Sequence, residues 1–172
     1  RQFYLGVVIV GIVVSAIVYL QANSIKDTSS KLMEQQIPSL RDIRFVETLI
    51  VKQERLLYEY YATNNQQLYL THFLNNHAEL LLLLNAIDVN NKEAQLQQKL
   101  AEPLKGGLSL ALELHNNLSG PSVAWDLARQ QLEQLTALQV KLVHILKIVE
   151  SQISLGVKEG YLETETDLQT TV

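Results

Sequence analysis

The feature that most constrains this chain is an uninterrupted apolar segment near its start, from Phe3 to Leu20. Its eighteen residues carry no charge. As an α-helix the segment would be about 27 Å long, against a hydrocarbon thickness of about 30 Å. A cleavable signal peptide is the alternative, but its apolar core is usually only about 7 to 15 residues long. Tyr4 and Tyr19 also stand where interfacial aromatics occur. We therefore predict a transmembrane helix over residues 1–22.

The remaining composition favours helices. The 172 residues include only three prolines and seven glycines, and Leu, Gln, Glu and Ala are frequent. These four residues are compatible with helices, so we expect essentially no sheet. The lack of cysteine excludes a disulfide framework and a thiolate metal site. The net charge of −4 is spread along the chain, which gives no footprint for a nucleic acid.

Turn signals divide the rest of the chain into four helices. They lie at Asn64 and Asn65, at residues 88–91 and at residues 118–121, and the third combines Gly120 with Pro121. The predicted helices cover residues 23–61, 66–87, 92–117 and 122–172. Pro103 and the glycine pair that follows it could divide the third helix in two. Ser122 is expected to cap the fourth.

Helix lengths then predict the architecture. At about 1.5 Å per residue, two long helices are bridged by two shorter ones, and short loops favour up-down neighbours. No glycine or proline separates Leu20 from Asn23, so the first long helix is expected to continue the span. The prediction is an all-α chain: a transmembrane helix continuous with an up-down antiparallel four-helix bundle over residues 23–172. A second span is expected beyond Val172.

This arrangement resembles the periplasmic four-helix-bundle sensor domains of bacterial chemotaxis receptors and sensor histidine kinases. The resemblance covers the whole chain as a pattern of helices, and its local echo is the Ile-Pro-Ser-Leu-Arg-Asp-Ile sequence at residues 37–43. It implies a homodimer in the bacterial inner membrane that binds a small molecule in the periplasm. Displacement of the last helix would carry the signal to a cytoplasmic module for chemotaxis or two-component signal transduction.

A basic stripe on the first long helix is the main candidate site. Arg41, Arg44, Lys52 and Arg55 fall within about 80° of the helix circumference. The resembled receptors hold ligand carboxylates with arginines of this helix, which implies an anionic ligand for these four residues. Tyr58, which follows them on the same helix, is the fifth candidate for ligand binding. Bidentate arginine suits such anions. The alternative is a solvated face with intrahelical acidic partners.

Two further groups of side chains are candidates for a site. The core row of the second helix is predicted to be Leu70, Phe73, His77, Leu80, Leu84 and Ile87. His77 is expected to be a core histidine with a polar partner rather than a pH sensor or a polar ligand contact. Tyrosines gather around the first turn, where they either pack at the end of the bundle or line a pocket for an apolar or cationic ligand; packing is favoured. They are Tyr58, Tyr60, Tyr61 and Tyr69.

Catalytic motifs are missing from the sequence. It has no nucleophile elbow, no phosphate-binding glycine loop and no carboxylates paired beside a histidine. We therefore predict no catalytic residue, no metal and no cofactor in this chain, and expect enzymatic activity only in a cytoplasmic part. The leading hypothesis is a receptor sensing domain. The alternative is a membrane-tethered bundle that holds a partner protein and senses nothing.

Overall fold

The computed structural model describes the backbone of residues 2–90 and 95–169, and in these ranges the chain is helical almost throughout and contains no strand. The predicted all-α class is confirmed. The α-helices are α1 Gln2–Lys31, α2 Ile37–Thr63, α3 Leu74–Asn90, α4 Leu96–Leu118 and α5 Trp125–Gln169. Two π-helical turns, Leu32–Gln36 and Leu68–Phe73, precede α2 and α3.

The chain divides into two compact units, residues 39–153 and residues 1–38 with 154–172. The larger one, here called the bundle unit, is held by two apolar clusters to which four helical segments contribute. The first cluster includes Ile43, Val46, Leu49, Ile50, Leu80, Leu84, Ile87, Leu96, Leu100, Leu104, Leu142, Leu146 and Val149. The second includes Leu56, Leu57, Tyr60, Leu68, Tyr69, Phe73, Ala111, Leu114, Leu118, Ala128 and Leu132.

The residues that each helix contributes to the two clusters show which way the helix runs. The first cluster joins early turns of α2 and α4 to later turns of α3 and α5. The second joins the late turns of α2 and α4 to the π-helical turn before α3 and to the start of α5. The bundle unit is therefore an up-down antiparallel four-helix bundle, and every helix presents a face of apolar residues spaced by three and four to the common core.

The π-helical turn before α3 corrects one predicted core position. Sequence periodicity placed Leu70 in the core, but its side chain is 51% exposed, whereas Tyr69 is buried. A π-helical turn holds one residue more than an α-helical turn, so it shifts the register of the residues before it. From Phe73 onward the predicted row is correct, since Phe73, His77, Leu80 and Leu84 are all buried.

The turn between α2 and α3 lies where the sequence predicts it. Asn64 has a positive φ of 50° and its N–H donates to the carbonyl of Tyr60 over 2.7 Å. Asparagine tolerates this left-handed conformation better than most residues and often ends a helix there. Asn65 then accepts a hydrogen bond from the N–H of Gln67 through its side-chain oxygen, over 3.1 Å. Asn64 thus ends α2 through its backbone, and Asn65 stabilises the following turn through its side chain.

Helix α4 is a single helix, although Pro103 and two glycines made a division possible. Pro103 lies in its second turn and is buried. The start of α4 is capped from a distance, because the Asp88 carboxylate accepts hydrogen bonds from the N–H groups of Leu96 and Gln97, both over 2.7 Å. These are N–H groups that a helix start leaves without an intrahelical partner.

The predicted cap at Ser122 is wrong, since α5 begins three residues later, at Trp125. The Asn117 side chain forms the connection instead. Its amide oxygen accepts from the N–H of Ala124 and its amide nitrogen donates to the carbonyl of Ala124, both over 3.0 Å. Because one asparagine binds both backbone groups of Ala124, the start of α5 is fixed by the end of α4 rather than by a local serine.

In the second unit, α1 is followed by the π-helical turn Leu32–Gln36 just before Pro38. Proline lacks the N–H that the carbonyl four residues earlier needs in an α-helix, and a π turn accommodates that loss. Among the described residues no helix is both long and apolar enough to cross a bilayer. Within the predicted span, the side chains of residues 1–13 and of residue 21 lie outside the described ones. The predicted boundary at residue 22 stays a prediction.

Replacing Asp88 with Ala should destabilise the bundle by about 1–2 kcal/mol, because two N–H groups at the start of α4 lose their acceptor and the helix dipole loses a negative partner. Chemical denaturation followed by circular dichroism measures this loss. Glu102→Ala is the matched control, since Glu102 is an exposed acidic residue within α4, the helix that Asp88 caps. Equal stability of the two variants would contradict the capping role of Asp88.

Candidate functional site

A basic groove lies on the surface of the bundle unit between α2 and α5. Most of its lining comes from consecutive turns of α2, and α5 contributes one acidic residue. The lining residues are Arg44, Glu47, Thr48, Val51, Lys52, Arg55 and Glu150. The spacing of the basic residues brings them to one face of α2, as the sequence predicts.

The charges in this groove are unequally paired. Arg44 donates through Nε to Oε1 of Glu150 over 2.9 Å, which links α2 to α5. Among the described residues, Lys52 and Arg55 have no acidic partner in an ion pair. The Arg44 side chain is 73% exposed, so its ion pair contributes little to stability. The groove therefore contains two cations without an ion-pair partner among the described residues, Lys52 and Arg55. The third cation, Arg44, forms an ion pair that is exposed to solvent.

Three of the five predicted ligand-binding residues meet in this groove, and two do not. Arg41 forms an ion pair with its neighbour Asp42 at 2.9 Å, which is the intrahelical pairing expected of a solvated face. Tyr58 lines a different space, described next. Of the basic stripe, Arg41 thus lies outside the groove and pairs with Asp42, whereas Arg44, Lys52 and Arg55 line the groove.

A small cavity of about 40 Å³ interrupts the core of the bundle unit. It lies where the two apolar clusters meet, and α2, α4 and α5 supply nearly all its walls. The lining residues are Ile50, Gln53, Glu54, Leu57, Tyr58, Phe73, Pro103, Leu104, Gly107, Leu108, Leu132, Leu135, Leu138, Gln139 and Leu142. Helix α4 contributes Pro103 and Gly107 at this level, and such small side chains leave the space between α2 and α5 unfilled.

The rim of this cavity carries a chain of hydrogen bonds across α2 and α5. The Tyr58 hydroxyl lies 3.0 Å from Oγ1 of Thr136, and Thr136 donates to Oε1 of Glu54 over 2.9 Å. Because the Thr136 hydrogen is directed to Glu54, Tyr58 donates to Thr136. Tyr58 is 44% exposed, which places this rim at the solvent side of the cavity. A carboxylate therefore stands at the entrance to an apolar space.

An aromatic cluster packs in the core at the end of the bundle unit near the first turn. Tyr69 stacks on His115 with ring centroids 4.2 Å apart and on Phe73 at 5.5 Å. Phe73 in turn stacks on His77 at 6.2 Å, and Tyr60 lies 5.9 Å from Tyr69. The favoured prediction for the tyrosines, packing at the end of the bundle, is confirmed for Tyr60 and Tyr69. The π-helical turn contributes by bringing Tyr69 and Phe73 to the same side.

Both histidines of this cluster have polar partners, and His77 is buried whereas His115 is partly buried. His77 is 9% exposed, and its Nδ1 lies 3.1 Å from the amide nitrogen of Gln53. The prediction of a core histidine with a polar partner is confirmed. Nδ1 of His115 lies 2.8 Å from the Tyr60 hydroxyl and 3.3 Å from Oγ of Ser119. Burial lowers the pKa of both histidines below the ordinary value of 6.5.

Tyr69 titrates differently from the histidines beside it. Burial, and then the neighbouring Tyr60, raise the pKa of its hydroxyl above 10.0. Tyr69 and the two histidines are thus uncharged around neutral pH, which suits a packing role. Sequence reasoning missed His115, although its spacing of four from Ser119 on one helical face was a signal. The pair Gly106 and Gly107 likewise indicated unfilled space in the core rather than a break in α4.

Comparison with known proteins gives no relative for this chain: no family model, no curated protein and no solved structure matches it. No group of three or more histidine or acidic side chains that could hold a metal ion occurs within the part of the chain that the structure describes.

His77 and His115 should make the bundle less stable in mild acid. Their folded-state pKa values are lowered, so the unfolded chain binds more protons, and the free energy of unfolding falls as pH drops below about 6.5. Denaturation at about pH 7.5 and about pH 5.5 measures this fall. The double variant His77→Gln, His115→Gln should reduce it. The exposed His72 and His144 are the matched controls, and their double replacement should leave the fall unchanged. An equal effect of both double variants would contradict the assignment.

Proposed function

We propose that this chain is the ligand-sensing, extracytoplasmic domain of a bacterial transmembrane signalling receptor. In this proposal residues 1–22 anchor it in the inner membrane, the bundle lies in the periplasm, and two copies form a homodimer. A small anionic molecule binds in the basic groove and displaces α5 relative to α2. The cytoplasmic output belongs to another part of the protein.

Surface exposure on α1 supports the anchor. The apolar side chains of α1 between residues 14 and 20 are exposed in the chain, including Val14, Ile17, Val18, Tyr19 and Leu20. A continuous apolar surface of this kind is stable where lipid or protein covers it. The apolar sequence that continues back to Phe3 is long enough for a bilayer. Lipid is therefore the covering that the sequence favours.

The bond between Arg44 and Glu150 is the observation that carries the sensing mechanism. It joins α2 to α5 at 2.9 Å, beside Lys52 and Arg55, which have no acidic partner among the described residues. An anion attracted by these two cations would compete with the Glu150 carboxylate for Arg44. Binding would then remove a contact between α2 and α5, and a ligand shifts an equilibrium by the difference in its affinity for the two states. Helix shifts of about 1–2 Å are a common response.

A membrane-tethered scaffold is the second candidate, because several apolar side chains of the bundle unit are exposed. Leu82 on α3 and Val140 and Ile148 on α5 are examples. Exposed apolar residues favour a protein partner when they are contiguous. Phe45 on α2 is also exposed and lies beside the basic stripe, and in the proposed homodimer a second copy would pack at this edge.

Titration of the full chain in lipid nanodiscs with succinate and with sulfate, measured by calorimetry, tests the sensing function. We expect saturable binding of at least one of these anions, and the double variant Lys52→Ala, Arg55→Ala should weaken it by roughly tenfold or more, because each lost charge-assisted hydrogen bond is worth about 1.5–3 kcal/mol. Arg44→Ala should also weaken binding.

The control variant for this titration is Arg129→Ala. Arg129 is an exposed arginine on α5 outside the groove, where it lies 3.8 Å from Asp126. It should bind the anions as well as the unchanged chain does. If neither anion binds, or if the groove variant binds as tightly as the Arg129 variant, the sensing proposal fails and the scaffold becomes the better account.

A further inference from the structure

We propose that the cavity in the bundle unit is a second ligand site, which takes a short alkylammonium ion with the end of its alkyl chain inside and its ammonium group at Glu54. This site goes beyond the anion-sensing function, since none of its lining residues belongs to the basic groove. Its two halves, an apolar interior and an acidic rim, match the two halves of such a molecule.

The interior is suited to a small aliphatic group. Leucines from α2, α4 and α5 line it, and Gly107 leaves open space, because a Cβ built there would meet no atom within 4 Å. A volume of about 40 Å³ exceeds the roughly 10–15 Å³ that one water needs and is well below the roughly 150 Å³ of a cavity that binds benzene. The end of a short alkyl chain fits this volume, with the methylenes next to the ammonium group in the opening at the rim, and an aromatic ring does not fit.

The rim is suited to a cation. Glu54 accepts a hydrogen bond from Thr136 at Oε1, and a carboxylate has further lone pairs for other donors. Among the described residues Glu54 has no basic partner in an ion pair. Tyr58 and Phe73 also line the cavity, and aromatic faces attract ammonium groups. Tyr58 is half-exposed, so a cation at this rim keeps part of its hydration and avoids the cost of full burial.

The basic residues of α2 lie on a different face from this rim. Arg55 follows Glu54 in sequence, but one residue step turns a helix by about 100°, and Arg55 lines the groove instead. The two sites therefore have opposite charge preferences on adjoining faces of α2. Glu54 serves the cavity, and Lys52 and Arg55 serve the groove.

Binding of butylammonium to the full chain in nanodiscs, followed by calorimetry and by protein NMR shifts, tests the proposal. Butanol and butyrate are the comparison probes, because they share the alkyl chain and differ in the head group. We expect saturable binding of butylammonium, at least roughly tenfold weaker binding of butanol and no binding of butyrate. Equal affinity for butylammonium and butanol, or tighter binding of butyrate, would overturn the assignment of an ammonium group to Glu54.

Two variants test the two halves of the site. Glu54→Gln should weaken butylammonium binding by roughly tenfold, since it removes the charge at the rim, whereas Glu47→Gln, on the same helix and in the groove, should leave it unchanged. Gly107→Leu should abolish binding by filling the cavity. Gly106→Ala is its control: it also replaces a helical glycine, but its Cβ meets only Leu138 at an ordinary 3.6 Å.

These outcomes separate this site from the anion site. The Lys52→Ala, Arg55→Ala variant should keep full affinity for butylammonium whether or not the chain binds anions. Loss of butylammonium binding in that variant would overturn a separate site. Unchanged binding in Glu54→Gln would do the same, and that result stays decisive even where Gly107→Leu does not fold.

Discussion

Burial of the α2 face on both sides of the cavity is the constraint on which the bundle depends. Ile43 and Ile50 belong to one apolar cluster and Leu56 and Tyr60 to the other, and each cluster draws on three further helical segments. Each fully buried large apolar side chain contributes about 1.5–3 kcal/mol through removal from water. Because α2, α4 and α5 each belong to both clusters, burial fixes their registers together, and the outward face of α2 is left for the groove.

Between the two apolar clusters, polar contacts join the helices in place of apolar packing. Gln53 pairs with His77, Asn76 donates to the carbonyl of Leu49 over 2.9 Å, and Glu54 accepts from Thr136. These contacts tie α2 to α3 and to α5 without filling the interior, which leaves the cavity. Buried polar contacts are directional, so they specify one arrangement of helices, whereas apolar packing tolerates several. Both candidate sites thus adjoin the level at which α2 and α5 are joined by polar bonds.

Sequence reasoning reached the helices and most of the core because periodicity and turn residues are local signals. The turn at Asn64, the all-α class and the core position of His77 followed from such signals. It failed at Leu70, because a change in helical period decides which side chain is buried there. It failed at Ser122, because the start of α5 depends on a contact between residues that are apart in sequence. A π-helical turn alters which residue faces inward, and the Asn117 side chain sets the start of α5 from the preceding helix.

The candidate site was only partly predictable for the same reason. Spacing alone brought Arg44, Lys52 and Arg55 to one face, but the partner of Arg44 lies 106 residues away, on α5. No helical period could predict that bond. Tyr58 is close to the basic residues in sequence, yet it faces the cavity with Glu54. Local sequence patterns thus predict which residues share a helix face, and only the fold shows which residues on other helices they contact.

Anion affinity of a Glu150→Gln variant tests the central claim, that a bound anion and Glu150 compete for Arg44. The substitution keeps the size of the side chain and removes its charge, so succinate or sulfate should bind about two- to fivefold more tightly, which corresponds to an ion pair worth about 0.5–1 kcal/mol. Calorimetry on the full chain in nanodiscs gives the comparison. An affinity equal to or weaker than that of the unchanged chain would contradict the competition, and with it the route from the groove to α5.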